Sequence, residues 1–267
     1  MTKRAWWVLA VVGVVLICTI AAQQPVPGGS TKSGGFTQPD PIDFSDHAGW
    51  QSMFDGVSLK GWDGSNRVWR AEQGAIVGES TPERPAGTTY IIWEGGEQAN
   101  FELKAEVKLE GTGTNSGIQY RSARTAQPQG GPAPNPQFAK WNLKGYQADM
   151  DYANRYTGQL YEQGTGRGII AWRGQVVRTE QGKRPRLLGV VGDSDALREF
   201  VKPGDWNQMH IIARGNTVIH LVNGHLMSVF IDDDPSMALA RGVIGLQIEG
   251  QGSVKVSYRN LWIKILT

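Results

Sequence analysis

The sequence predicts an all-β domain, a sandwich or barrel built from antiparallel sheets. Three observations carry that expectation. FELKAEVKLE (residues 101–110) alternates apolar and charged residues without a break, the period of a strand with one face in a core and the other in water. QMHIIARGNTVIHLVNGHLMSVFI (208–231) carries two turn signals, Arg214-Gly215-Asn216 and Asn223-Gly224. The Asn-Gly pair suits a tight hairpin, whose two central residues take positive φ. Thirty-five glycines punctuate the chain, as expected for many short strands joined by turns.

Taken in order, strands are expected at 68–71, 75–79, 88–93, 101–110 and 116–122. TAQPQGGPAPNPQFAK (125–140) is too polar and proline-rich for a strand and reads as a long excursion. Strands resume at 145–151, 156–162 and 168–173. DALREF (195–200) alone looks like a helical turn. The 208–231 hairpin follows, then strands at 243–249 and 253–265. The last of these changes parity: Val254, Val256 and Tyr258 share one face, Leu261, Ile263 and Ile265 the other. A bulge near Arg259-Asn260 would reconcile them.

The N-terminus has a different character. Lys3 and Arg4 precede an uncharged apolar run, Ala5 to Ala22, the layout of an export signal. An uncleaved membrane anchor is the alternative, since the run is near the lower limit for spanning. Bulky Ile17 before Cys18 argues against lipidation. Residues 23–45, rich in Gly, Pro, Ser and Gln, read as a flexible tether. The folded domain is then 46–267. Cys18 is the only cysteine, so the mature domain has no disulfide framework, thiol nucleophile or thiolate metal site. Net charge is +2 with both signs interspersed, which excludes a nucleic-acid surface. Of ten tryptophans, two lie in the signal segment; an exposed one elsewhere would suit a sugar ring.

Three strands share an unusual polar face. In GYQADMD (145–151), Tyr146, Ala148 and Met150 alternate with Gln147, Asp149 and Asp151. In NSGIQYR (115–121), Ile118 and Tyr120 alternate with Asn115, Gln119 and Arg121, with Gly117 keeping that face shallow. In GVIGLQIEG (242–250), Ile244, Leu246 and Ile248 alternate with Gly245, Gln247 and Glu249. The outward face of 101–110 is only Lys and Glu, a plain solvated surface. Short or planar hydrogen-bonding groups on the other three suit a ligand with many hydroxyls. A sandwich with a plain convex side and a concave binding side is expected. Asp149 and Asp151, at i and i+2, sit roughly 6–7 Å apart at Cα. They suit a base and its partner, a Ca²⁺ or other divalent ion, or pairing with Arg121 or Arg155. No cofactor is required by the sequence. A Ser-His-Asp arrangement has no local support, and His220 reads as a packed or surface histidine.

Ten segments together resemble a known family: FDGVSLKGW (54–62), WRAEQGAIVGES (69–80), ANFELKAEVK (99–108), NSGIQYR, GYQADMD, TGQLYE (157–162), DWN (205–207), LVNG (221–224), GLQIEG (245–250) and YRNLWIKIL (258–266). In that order they look like the 3-keto-disaccharide hydrolase domain family, long called DUF1080. The resemblance implies an exported bacterial protein with a concanavalin A-like, laminin-G-like jelly-roll β-sandwich of two antiparallel sheets. It implies a small carbohydrate ligand, a glycoside whose C3 hydroxyl is oxidised to a ketone. The ketone acidifies C2, so proton abstraction followed by elimination at C1 and hydration gives net hydrolysis. On that scheme Asp149 or Asp151 is the base, and Arg121 stabilises the enolate. Tyr161 or Glu162 protonates the leaving group, and Asn115, Gln119, Gln147 and Gln247 hold hydroxyls. One departure stands out. The commoner family pattern has Glu where Gln147 stands and Gln where Asp149 stands. The carboxylate has moved two residues along one face, or the activity is altered. A non-catalytic carbohydrate-binding module of the cell envelope is the alternative.

Overall fold

The computed structural model describes residues 43–125, 135–250 and 252–267. The expected signal segment, nearly all of the tether and the middle of the 125–140 excursion lie outside the described residues. Seventeen strands are described. They are β1 (Gln51–Ser52), β2 (Trp62–Asp63), β3 (Trp69–Glu72), β4 (Ala75–Ser80), β5 (Thr89–Trp93), β6 (Phe101–Glu110), β7 (Asn115–Arg124), β8 (Leu143–Asp151), β9 (Leu160–Gln163), β10 (Gly168–Ala171), β11 (Gln175–Glu180), β12 (Arg186–Val190), β13 (Asn207–Arg214), β14 (Thr217–Val222), β15 (His225–Asp233), β16 (Val243–Ile248) and β17 (Val254–Ile265). A 3₁₀ helix, Pro136–Trp141, closes the excursion, and α1, Ser194–Arg198, is the expected helical turn.

The strands form two sheets. One runs β12-β11-β15-β14-β13-β6-β17-β4-β3, with β1 also on β17; the other runs β10-β9-β8-β7-β16-β5-β2. All pairings are antiparallel except β11 with β15. This is the predicted two-sheet sandwich. Its core lies between the sheets, where Phe101, Leu103, Ala105 and Val107 of β6 and Ile211 of β13 meet Ile118 and Tyr120 of β7, Tyr146 and Ala148 of β8, and Leu246 of β16. Strict alternation on each strand puts every second side chain in that layer. The parity break in β17 is a bulge: the β6–β17 register shifts between Arg259 and Trp262, and Asn260 takes φ 50°.

Several expectations need correction. The strand expected at 156–162 begins only at Leu160, because residues 152–159 form turns held by Asp151. β11 and β12 have no counterpart in the sequence reading; their exposed and half-buried mixture breaks any clean alternation. The outer face of β6 is not plain solvated surface. Lys104 is buried, its ammonium 2.6 Å from the Asp46 carbonyl and stacked over Trp50. The Asp43 carbonyl also accepts from Lys104, so the packed chain already includes residues 43–45, assigned above to the tether. No helix among the described residues is long and apolar enough to cross a membrane.

Candidate functional site

The outer face of the seven-stranded sheet carries the cleft. Register aligns the side chains in rows: Tyr161 opposite Gln147, Gln147 opposite Gln119, and Gln119 opposite Gly245. In the next row Asp149 faces Gly117. Gly117 is the vacancy that makes the floor. A Cβ there would lie 2.6 Å from Gln147 Nε2 and 2.7 Å from the Ala148 carbonyl. Without it, the Gln147 side chain crosses β7 to reach β16.

The result is a directed chain of amides. Ser122 Oγ donates to Gln119 Oε1 at 2.6 Å. Gln119 Nε2 donates to Gln147 Oε1 at 3.1 Å, and Gln147 Nε2 to Gln247 Oε1 at 2.7 Å. Gln247 Nε2 donates to Glu249 at 3.0 Å and to the Tyr90 hydroxyl at 3.2 Å. Each amide both donates and accepts, so every orientation is fixed by the next.

A cleft of about 200 Å³ opens on this floor, lined by Asn115, Gln147, Asp149, Tyr156, Gln159, Tyr161, Gln163, Ile169, Gln247 and Glu249. No lysine or arginine is among them. Asp149 is buried, and burial, with Glu249 and Asp151 nearby, pushes its carboxyl up to about 7 against the pull of a Gln159 hydrogen bond. That bond, Gln159 Nε2 to Asp149 Oδ2, is 2.7 Å; Asp149 Oδ1 accepts the Met150 amide at 3.1 Å. Burial also raises Glu249. Tyr161 is raised by burial and by Glu249 and Asp149, so its phenol stays protonated at neutral pH. Gln159 Oε1 and Asn115 Oδ1 are buried acceptors without a protein partner; hydroxyl donors would satisfy them.

Of the nine site residues expected from sequence, Asn115, Gln147, Asp149, Tyr161 and Gln247 line this cleft. Gln119 lies beneath it as a link in the amide chain. Three residues sit elsewhere. Arg121 adopts φ 46° where the β7–β8 register shifts between Tyr120 and Ala123, which breaks the alternation. Its guanidinium donates instead to the carbonyls of Ala99 (2.6 Å), Gly215 (2.8 Å) and Leu239 (3.2 Å). Glu162 points between the sheets, ion-paired with Arg167, which also binds Asp232 at 2.8 Å. Asp151 accepts backbone amides of Tyr156 (2.6 Å), Arg155 (3.0 Å) and Thr157 (3.2 Å), building the turn after β8. Its carboxylate is committed to that turn, so it shares no ligand position with Asp149. No cluster of three or more metal-ligating residues exists among the described residues. His220 is packed, with Tyr120 Oη 2.8 Å from Nε2 and the Gln159 carbonyl 3.2 Å from Nδ1.

The sequence reading missed Tyr156, Gln159, Gln163 and Ile169, and it put Glu249 on the polar face without giving it a role. Glu249 was legible, being on the same parity as Gln247. Gln163 and Ile169 follow only from the pairing of β9 with β8 and β10. Tyr156 and Gln159 come from a turn, where periodicity carries no signal.

Fold and cleft together define a concanavalin A-like jelly-roll sandwich with a polar cleft on the outer face of one sheet. The chain belongs to the family of the 3-keto-alpha-glucoside-1,2-lyase-like domain, whose family model matches residues 49–264. No curated protein matches in sequence. Among solved structures, a protein from Parabacteroides distasonis ATCC 8503 provisionally described as a glycosyl hydrolase is similar at 20% identity. It has a TM-score of 0.50, over 82% of this chain and 95% of that one. A second protein of the same description and organism has 20% identity and a TM-score of 0.50, over 81% and 99%. A carbohydrate-binding module, CBM66 from Bacillus subtilis, has 14% identity and a TM-score of 0.47, over 76% and 95%. At such identities the likeness concerns the fold.

Proposed function

We propose that this is an exported enzyme that cleaves 3-keto-α-glucosides in the cleft by removing the C2 proton and expelling the C1 substituent. The observation that carries this reading is Asp149, a buried carboxyl on the cleft floor with its pKa raised to about 7. A base works best when its pKa lies near the working pH. The ketone at C3 makes the C2 proton acidic enough for such a base. Asp149 takes that proton, and the electron pair forms the C2–C3 enolate. The enolate collapses to a C1–C2 double bond as the C1–O bond breaks. The phenol of Tyr161 donates its proton to the departing oxygen. Water then adds at C1 and C2 regains a proton, so the sum is hydrolysis.

The other lining groups serve positions. Gln159 holds Asp149 Oδ2, and Gln159 Oε1 and Asn115 Oδ1 accept substrate hydroxyls. Arg121 lies elsewhere and no lysine or arginine lines the cleft, so the enolate oxygen has no cationic partner there. No metal is assigned a role. Incubation with methyl 3-keto-α-glucoside and with methyl α-glucoside tests the proposal: release of methanol from the keto sugar alone supports it, and binding without release overturns it.

A second reading, sugar binding without turnover, is favoured by the amide chain Gln119–Gln147–Gln247. It places an amide where the commoner family pattern has Glu, and amides read hydroxyls without moving protons. The same incubation separates the two.

A further inference from the structure

A single sugar ring fills a cleft of about 200 Å³, which is below the roughly 300–1,000 Å³ of pockets that enclose drug-sized ligands. A leaving group larger than an alkyl chain must therefore lie outside it. Beside the cleft stands an aromatic wall. Tyr156 lines the cleft, and Trp172 stands next to it with ring centroids 6.3 Å apart and planes inclined 39°. Trp172 is 45% exposed, although most large apolar side chains are buried.

This wall is held in place. Tyr156 sits in the turn fixed by Asp151, and Trp172 in the turn between β10 and β11, where its amide donates to Gln175 Oε1 at 3.0 Å. Buried Arg173 ties the two turns together. It donates to the Thr157 carbonyl at 2.8 Å, to Asn154 Oδ1 at 3.3 Å and to the Ser194 carbonyl at 2.9 Å. An exposed tryptophan with a buried arginine fixing its neighbour is preorganised for contact.

We propose that Trp172 and Tyr156 form a subsite that grips the leaving group by stacking, so that the cleft discriminates ring-bearing from alkyl aglycones. The inference rests on the reading of the cleft given above. The wall offers faces of π-electron density, most openly on Trp172, and few directed donors: the Arg155 guanidinium lies 5.6 Å over the Tyr156 ring, with Nη1 3.4 Å from the Tyr156 hydroxyl. It therefore reads the flat apolar face of a six-membered ring, whether sugar or arene, in preference to a hydroxyl pattern.

Calorimetric titrations in the Asp149→Asn background, where ligand is not consumed, test this. The ligands are methyl 3-keto-α-glucoside, phenyl 3-keto-α-glucoside and a 3-keto-α-glucosyl disaccharide. Both ring-bearing ligands are expected to bind about tenfold more tightly than the methyl glycoside. Trp172→Ala should erase that margin while leaving methyl glycoside affinity within about twofold, and Trp172→Phe should restore most of it. Loss confined to one ring-bearing ligand still supports the subsite and names its occupant. Unchanged affinities in Trp172→Ala, or equal losses for all three ligands, overturn it. If the wild-type protein cleaves none of them, the reaction proposed for the cleft fails, and the binding comparison still decides the subsite.

Discussion

Gln147 Nε2 lies 2.7 Å from Gln247 Oε1, across the strand between them. The contact exists because β7 presents Gly117 at that point. It converts polar faces on β7, β8 and β16 into one hydrogen-bonded floor that ends on Glu249.

Gly117→Ala is therefore expected to be disruptive beyond its size. The added methyl meets both the hydrogen-bonded Gln147 amide and the Ala148 backbone carbonyl. Overpacking of this kind costs about 1–3 kcal/mol. Denaturant unfolding should show that loss, and sugar affinity should fall with it.

Placing Glu at position 147 should also destabilise this chain. In Gln147→Glu, a carboxylate facing Gln247 Oε1 has nothing to donate. Flipping Gln247 to donate would turn its oxygen onto Glu249. A third carboxylate also joins Asp149 and Glu249. A loss on the order of 1–3 kcal/mol at neutral pH is expected, smaller at pH 4, where the carboxyls are protonated. Equal stability at both pH values would show that the amide chain is not coupled.

Stability and activity should respond oppositely to pH around Asp149. Its folded pKa, about 7, is raised above the ordinary value of 3.8. The proton is held more tightly in the folded state, so the associated stability is full below about 4 and lost as pH rises through about 7. The base is active only when deprotonated, so kcat/KM should rise through the same range. Asp149→Asn should flatten the stability change between pH 4 and 8.

His220 should mark the acid limb. Burial lowers it to about 4, so stability is full above about 6.5 and lost as pH falls through about 4. With Nδ1 donating to the Gln159 carbonyl, Nε2 accepts from Tyr120. Protonation would aim a second donor at that hydroxyl and bury a charge. His220→Gln should remove this acid sensitivity, read from melting temperatures between pH 6.5 and 4.

Arg121 and Glu162 should prove structural. Arg121→Met strands carbonyls at Ala99, Gly215 and Leu239, and Glu162→Gln removes the charge that pairs with Arg167 and leaves Arg167 only Asp232 as an ionic partner. Leaving buried carbonyls unsatisfied costs about 1–3 kcal/mol each, and breaking a buried ion pair about 3–5 kcal/mol. Melting temperature should fall in both variants, while kcat per folded molecule stays within about threefold.

The sandwich was legible because period two is strict in β6 and in residues 145–151 and 244–249, and the turns carry glycine. The same parity placed Asn115, Gln147, Asp149 and Gln247 on one face. It failed at Arg121, where a bulge rotates the side chain away, because nothing in the Tyr-Arg-Ser sequence announces positive φ. It failed at Asp151 because strand end and turn cap look alike in sequence. Tyr156, Gln159 and Trp172 come from turns, whose placement depends on Arg173 and Asp151 acting across them.

The most direct test of Asp149 as the base is exchange of the C2 proton. Methyl 3-keto-α-glucoside is incubated in D₂O and followed by proton NMR, with product formation tracked in parallel. Wild-type protein is expected to release the C2 proton or eliminate at C1, and Asp149→Asn to be slower by about 10²–10⁴, the usual contribution of a general base. C2 proton loss at the wild-type rate in Asp149→Asn would contradict the assignment.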